Sequence, residues 1–261
     1  MITKGILFYT DNRLEGTLIG KVAQKRIIKS ELPIVSVSLE PIKFGRNIVV
    51  SMPRSIETMF YQILTGLIAC ETDIVFMCEH DVVYSPEHFR VDSIAQLCYH
   101  YNQHNWKLNM HTGDALFYYC KQTLGLVGYR DLLIEHYAKR LERIMNKGSY
   151  EWSIGFEPGC HVPPRGIDHY PAIGHMTKIP NIDLRHGKNL TKSRWSTEEF
   201  RDKRTCQGWT ESEYIPFWGV TKNRPIDFLQ DILEDNYAFQ EQGTSYSRIE
   251  LRNPDHFQDS R

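Results

Sequence analysis

Two acidic residues at i and i+2, Glu79 and Asp81, flank His80 directly after the apolar run Ile74-Val75-Phe76-Met77-Cys78. Five apolar residues are too few for a helix and suit a central strand, which would deliver both carboxylates to its carboxyl end. In an open α/β sheet ligands bind at that end. Two carboxylates and an imidazole there have the donor atoms to hold a divalent cation, and such a cation would neutralise a diphosphate. The plainer use of the same acids is to cap the following turn, with His80 left in solvent.

A second stretch, Asn181 to Trp195 (NIDLRHGKNLTKSRW), places His186 between Arg185 and Gly187 in a segment too polar for the core. His161, His169 and His175 are competing imidazoles in an irregular layer rich in Gly, Pro and His over 150–180. From Lys178 to Arg204 the chain carries eight Lys/Arg against four Asp/Glu, whereas the tail from Asp227 carries eight acidic and three basic residues. The whole chain has a formal charge of only −1, so any affinity for polyanions has to come from a local patch.

These residues need elements to hold them, and the first half of the chain alternates strand-like and helix-like runs. Gly5–Thr10 (GILFYT) reads as a buried strand ending in the polar turn Asp11-Asn12-Arg13. A helical stretch over 14–28 follows, then Ile34–Leu39 as a strand, with 47–52 a further strand or loop edge. Ile56, Met59, Phe60, Ile63, Leu64, Leu67 and Ile68 recur at steps of three and four, the pattern of a helix with Ser55 as its cap. This β-α-β rhythm predicts an α/β layer with a mainly parallel sheet. Short strands are expected around Trp106 and over 116–119, a helix over 129–145 and a short helix over 227–235.

Length and composition exclude several classes. The 261 residues are 41% hydrophobic and 24% charged, ordinary for a globular chain. The uncharged run 58–70 is shorter than the roughly 20 apolar residues of a membrane span. The N-terminus lacks the pattern of a secretory signal, so a cytoplasmic protein with no membrane association is expected. The six cysteines contain no CxxC pair and read as reduced core thiols rather than zinc ligands.

The order of strand, YTDN turn, helix, second strand, Pro-Arg-Ser before an amphipathic helix, and strand ending in acid-x-acid resembles glycosyltransferases of the GT-A fold. The resemblance implies an α/β, GT-A-like chain: a mainly parallel central sheet flanked by helices, with an irregular C-terminal extension. The glycosyltransferase domain would span 1–226, with a donor-binding half at about 1–98 and an acceptor side at about 99–226, followed by a helix and polar tail over 227–261. It implies a nucleotide-sugar donor, with UDP as the favoured nucleotide, and a Mn2+ or Mg2+ cofactor. Glu79-His80-Asp81 stands in for the family's Asp-x-Asp, with Asp81 the better metal ligand because Glu replaces Asp at the first position. Thr10, Asp11, Asn12 and Arg54 match where the family holds the donor, with Glu79, His80 and Lys188 beside it. His186 resembles the family's C-terminal metal ligand. An inverting enzyme needs a carboxylate base near the start of the acceptor-side helix. Asp131 matches that place, with Glu135 and Glu157 as rivals; a retaining enzyme needs none.

The segments EHDVVYSPEHF, YNQHNW, PNIDLRHGKNLTKSRW and the GW…IPFWG end look like those of uncharacterised and phage-encoded glycosyltransferases. Some virus-encoded enzymes of this kind glycosylate hydroxymethylated DNA bases. That implies duplex DNA as a partner in a host cytoplasm, with Trp106, Lys192, Arg194 and Trp195 on the acceptor. Trp209, Trp218, Tyr214 and Phe217 would offer further stacking surfaces. A glycan or lipid-linked saccharide is the alternative acceptor. A nucleotidyltransferase would need a glycine-rich phosphate loop, and YTDNRLEG has only Gly16. A non-catalytic nucleic-acid or carbohydrate-binding module is the remaining class.

Overall fold

Continuous apolar runs such as Ile6-Leu7-Phe8-Tyr9 and Ile74–Cys78 can be buried on both faces only if helices cover both sides of the sheet. That is the arrangement found in the computed structural model, which describes residues 2–91, 93–147, 157–161, 163 and 165–236. β1 (Lys4–Thr10) lies between β2 (Ile34–Ser38) and β4 (Ile74–Glu79), parallel to both, and β3 (Arg46–Val49) extends the sheet beyond β2. On the other side β9 (Leu126–Tyr129) pairs antiparallel with β4 and with β6 (Tyr99–Asn102). β10 (Ala172–His175) closes that edge parallel to β6. The sheet order is β10-β6-β9-β4-β1-β2-β3, so the expected α/β fold with a mainly parallel central sheet is the one observed.

The helices explain the packing. α2 (Ile56–Ala69) starts at Ser55, whose hydroxyl accepts from the Thr58 N–H. Its buried stripe Phe60, Ile63 and Leu67 packs on Leu7 and Val37. Gly66 lets the helix come close, since a Cβ there would lie 2.1 Å from a Leu7 methyl. α1 (Leu18–Ile28) begins four residues later than its apolar pattern suggests. Residues 13–16 form a turn with Gly16 at φ +72°, and Thr17 then caps the helix by accepting from the Gly20 N–H. α4 (Pro225–Leu233) packs Phe228, Leu229 and Ile232 into a cluster that includes Val22 of α1.

A second, smaller sheet has the order β12-β8-β7-β11-β5, built from β5 (Val82–Val83), β7 (Asn105–Asn109), β8 (Ala115–Phe117), β11 (Asn181–Arg185) and β12 (Thr210–Ser212). β13 (Tyr214–Ile215) and β14 (Gly219–Val220) form a separate hairpin. Because β4 belongs to the large sheet and β5 to the small one, Glu79-His80-Asp81 is the turn that joins them. Two strands arise where irregular chain was expected: β10 within 150–180, and β11 within the basic stretch. The six cysteines are free thiols. Among the described residues no helix is long and apolar enough to cross a membrane. Most of the polar C-terminal tail lies outside the described residues.

α3 (Arg130–Lys147) carries a buried polar chain. Arg140 donates to His136 Nε2 at 2.9 Å, so that nitrogen is an acceptor and the ring is neutral, with Nδ1–H donating to Asp168 at 2.7 Å. Tyr99 donates to the same Asp168 oxygen. Burial pulls His136 down to about 4, against the Asp168 hydrogen bond that favours the charged ring. A histidine depressed in the folded state costs no stability above about pH 6.5. Below that the unfolded chain takes a proton that the folded one refuses, which removes about 2 kcal/mol at pH 5. Carboxylates raised by burial pull the other way, so a variant isolates the effect. His136→Asn keeps a donor for Asp168, and denaturant titrations should show its stability deficit shrinking by about 2 kcal/mol between pH 7 and pH 5; a constant deficit would show that His136 is not held neutral.

Candidate functional site

The carboxyl ends of β1, β4 and β11 open into a cleft of about 990 Å³. β1 delivers Tyr9, Thr10 and Asp11 to it, and the joining turn delivers Glu79, His80 and Asp81. Gln62 of α2 donates to the Thr10 carbonyl at 2.8 Å, tying the end of β1 to the helix. Arg54, just before that helix, donates through Nε to Asp11 Oδ2 and through a terminal nitrogen to the Lys188 carbonyl at 3.1 Å. Thr10, Asp11, Arg54, Glu79 and His80, expected at the donor, thus line one cleft, whereas Lys188 is not among its lining residues.

The two acids of the turn have different chemistry. Burial pushes Glu79 up to about 8, with Asp81 adding to the rise and the Tyr9 hydroxyl, 2.7 Å from Oε1, opposing it. At neutral pH Glu79 therefore keeps its proton. Burial works the same way on Asp81, but His186, His80 and Arg185 outweigh it and hold Asp81 below the usual carboxylate range. The pair carries its charge on Asp81, which makes Asp81 the ligand of choice for a cation.

His186 stands beside it, Nε2 to Asp81 Oδ2 at 3.5 Å, and that nitrogen is buried without a hydrogen-bond partner. Asn189 donates to the same oxygen at 2.7 Å. Among the described residues no three His, Cys, Asp or Glu side chains form a metal cluster. One carboxylate and one imidazole nevertheless suit Mn2+ or Mg2+ when a diphosphate and water supply the remaining ligands. The orphaned Nε2 is the structural sign of that fit. The Lys188 N–H now donates to His186 Nδ1 at 3.1 Å, so Nε2 holds the ring hydrogen. Ligation through Nε2 requires the ring to give up that proton and the Lys188 contact to open.

Other expected residues fall elsewhere. Asp131 is not in the cleft. Arg130 donates from its N–H to the Asp73 carbonyl and from its guanidinium to the Cys70 carbonyl, so α3 begins at the amino end of β4. That places Asp131 roughly 16 Å of strand away from Glu79, with its side chain 85% exposed and paired to Arg130. Its rival Glu135 pairs with Lys139 on the helix surface, whereas Glu157 lines the cleft and burial raises its carboxyl. Asn12 is a latch: its Oδ1 accepts from the Leu39 and Glu40 N–H groups, and its backbone sits at φ +64°. Trp106 is core, stacked on Phe117. Trp218 is also core and donates to the Pro180 carbonyl. Trp195 lines a separate pocket of about 340 Å³ with Asp114 and Glu211. Lys192 and Arg194 do line the cleft.

Cleft residues without a counterpart among the expected ones include Lys107, Tyr118, Asp183 and Arg185. Asp183 and Arg185 face the cleft because β11 alternates, with Ile182 and Leu184 in the core of the small sheet. That period-two pattern is legible in NIDLR, though masked by the basic residues that follow. Asp183 is raised by burial, against Arg185 and Lys107.

No protein-family model matches the chain, and no curated protein does. Among solved structures, a nucleotidyl transferase from Methanothermobacter thermautotroptrophicus is similar over 56% of this chain and 83% of its own, at 13% identity and a TM-score of 0.35. A likeness that distant does not bear on function. The site geometry is tested directly with Mn2+. Asp81→Asn should weaken Mn2+ binding in the presence of UDP by about tenfold or more while circular dichroism stays unchanged. Unaltered Mn2+ affinity in that variant would remove Asp81 from the metal site.

Proposed function

We propose that the chain is a divalent-metal-dependent glycosyltransferase that moves a sugar from a nucleotide-sugar, with UDP as the favoured nucleotide, to an acceptor hydroxyl. The favoured acceptor is a hydroxymethylated base in DNA. The observation that carries the reading is Asp81 at a strand end in a large cleft, with His186 Nε2 3.5 Å from its carboxylate and in no hydrogen bond. Asp11, held by Arg54, would accept from a base N–H or a ribose hydroxyl, and Arg54 would meet the donor's phosphates. A cation held by Asp81 and His186 would supply neutralisation of the charge that builds on the departing diphosphate.

The reaction forms a bond from the acceptor oxygen to the anomeric carbon and breaks the bond from that carbon to the diphosphate oxygen. If configuration inverts, the acceptor proton needs a carboxylate. Glu157, which lines the same cleft, replaces Asp131 as the candidate, since a raised carboxyl holds such a proton readily. Support for a DNA acceptor comes from Lys192 and Arg194 among the lining residues. A glycan acceptor would not need those cations.

The test is nucleoside diphosphate release from a panel of sugar nucleotides with Mn2+, with and without hydroxymethylated DNA. Release of UDP stimulated only by that DNA is the expected result, and Asp81→Asn should lower it by about 100-fold or more. Release indifferent to DNA moves the acceptor to a glycan. Pyrophosphate in place of UDP would make the chain a nucleotidyltransferase, and no release with any donor a binding module.

A further inference from the structure

The cleft's charges do not balance. Around the strand ends the acids Asp11, Glu79 and Asp81 are matched by Arg54 and by the histidines. Elsewhere in the lining the cations Lys107, Lys121 and Arg165 stand against two carboxylates, Glu157 and Asp183. Asp183 is shared: Arg185 reaches it at 3.4 Å, and Lys107 is its partner in the β7–β11 register. The Lys107 ammonium is only 5% exposed and sits 4.2 Å from the Tyr118 ring centroid, with no carboxylate within ion-pair distance among the described residues. Lys121 gives one hydrogen to the Ala172 carbonyl and keeps two.

The neighbours cannot supply the missing negative charge. Burial pushes the Cys120 thiol to about 11 and the Cys160 thiol to about 12, so both are neutral at physiological pH. Buried charge normally has a partner, and here the excess faces open cleft. The surplus positive charge and the buried Lys107, which has no carboxylate of its own, therefore mark one place.

We infer that this stretch of the cleft, centred on Lys107, Lys121 and Arg165, is a subsite for a phosphate group carried by the acceptor. It rests on the glycosyltransferase reading in that the group bound here belongs to the acceptor rather than to the donor. A phosphate would take charge-assisted hydrogen bonds from the three cations. Its source is either the phosphodiester backbone of a nucleic acid or the phosphomonoester of a small phosphorylated sugar.

Calorimetric titration of the full-length chain with inorganic phosphate, with and without saturating UDP and Mn2+, tests the site. Saturable binding that UDP does not displace is expected. Lys107→Met should weaken it by about tenfold or more. Lys107 is buried, so Lys121→Gln and Arg165→Gln repeat the test, each with a loss of about threefold or more. Absence of phosphate binding, or equal affinity in all three variants, overturns the inference. A short thymidine oligonucleotide and glucose 6-phosphate then compete for bound phosphate. Displacement by the oligonucleotide assigns the group to a nucleic-acid backbone, and displacement by the sugar phosphate to a small acceptor. Displacement by neither would leave an adventitious ion only and overturn the acceptor role. Failure here does not touch UDP release, and failure of UDP release does not touch phosphate binding, so the two readings fall separately.

Discussion

Residues 79–81 must leave one sheet and enter another within three positions, and the rest of the site depends on that constraint. β4 is clamped between β1 and β9 in the large sheet, while Val82 and Val83 pair with Asp183 and Ile182 in the small one. Neither strand can slip by a residue without turning its buried side chains to the wrong face. The Leu184 N–H donates to the Asp81 carbonyl, which pins the turn from the second side. Glu79 and Asp81 are therefore held by backbone pairing rather than by their own side-chain contacts, and they can be spent on chemistry.

The same geometry explains why the acids differ. Both are buried, and two carboxylates at such spacing cannot both ionise cheaply. The fold resolves the conflict by partner choice: Tyr9 donates to Glu79, while His186 and Asn189 come to Asp81 from the segment after β11. The histidine reaches the site because β11 runs parallel to β7 and ends at the cleft, so the chain beyond it must turn across the mouth. A distant segment of sequence thus decides which carboxylate carries the charge.

What could be read from residues alone follows from the range of the interactions involved. β1, β2, α2 and β4 are written in local periodicity and caps, and they were legible with bounds correct to a residue or so. The strand-end acids were legible for the same reason. β10 was not, because it is a half-exposed edge strand, and β11 was not, because its buried positions include the polar Asn181 and Asp183. The reading of Asp131 fails on topology. A first-turn acid looks the same whichever end of the sheet its helix starts from, and the antiparallel β9 hands the chain back to the amino end of β4 before α3 begins. Aromatic spacing offers Trp106 and Trp218 as surfaces because it does not say which way a short strand faces; both are closed into the core.

Asp81 is the ionised acid of the joining turn, and the cations Lys107, Lys121 and Arg165 lie elsewhere in the cleft's lining. A donor diphosphate approaching Asp81 would be repelled unless a cation intervened, which is the physical case for a metal beside it. The cationic stretch has no such need, since its own side chains already carry the positive charge. A group with negative charge of its own is stabilised there directly, and its approach would also relieve the burial of Lys107 next to a single shared carboxylate. Under the proposed function the asymmetry would give the two substrates different addresses: one would reach its site only with a metal, the other without. Binding order would then follow from electrostatics, with the donor site depending on cation supply and the cationic stretch on ionic strength.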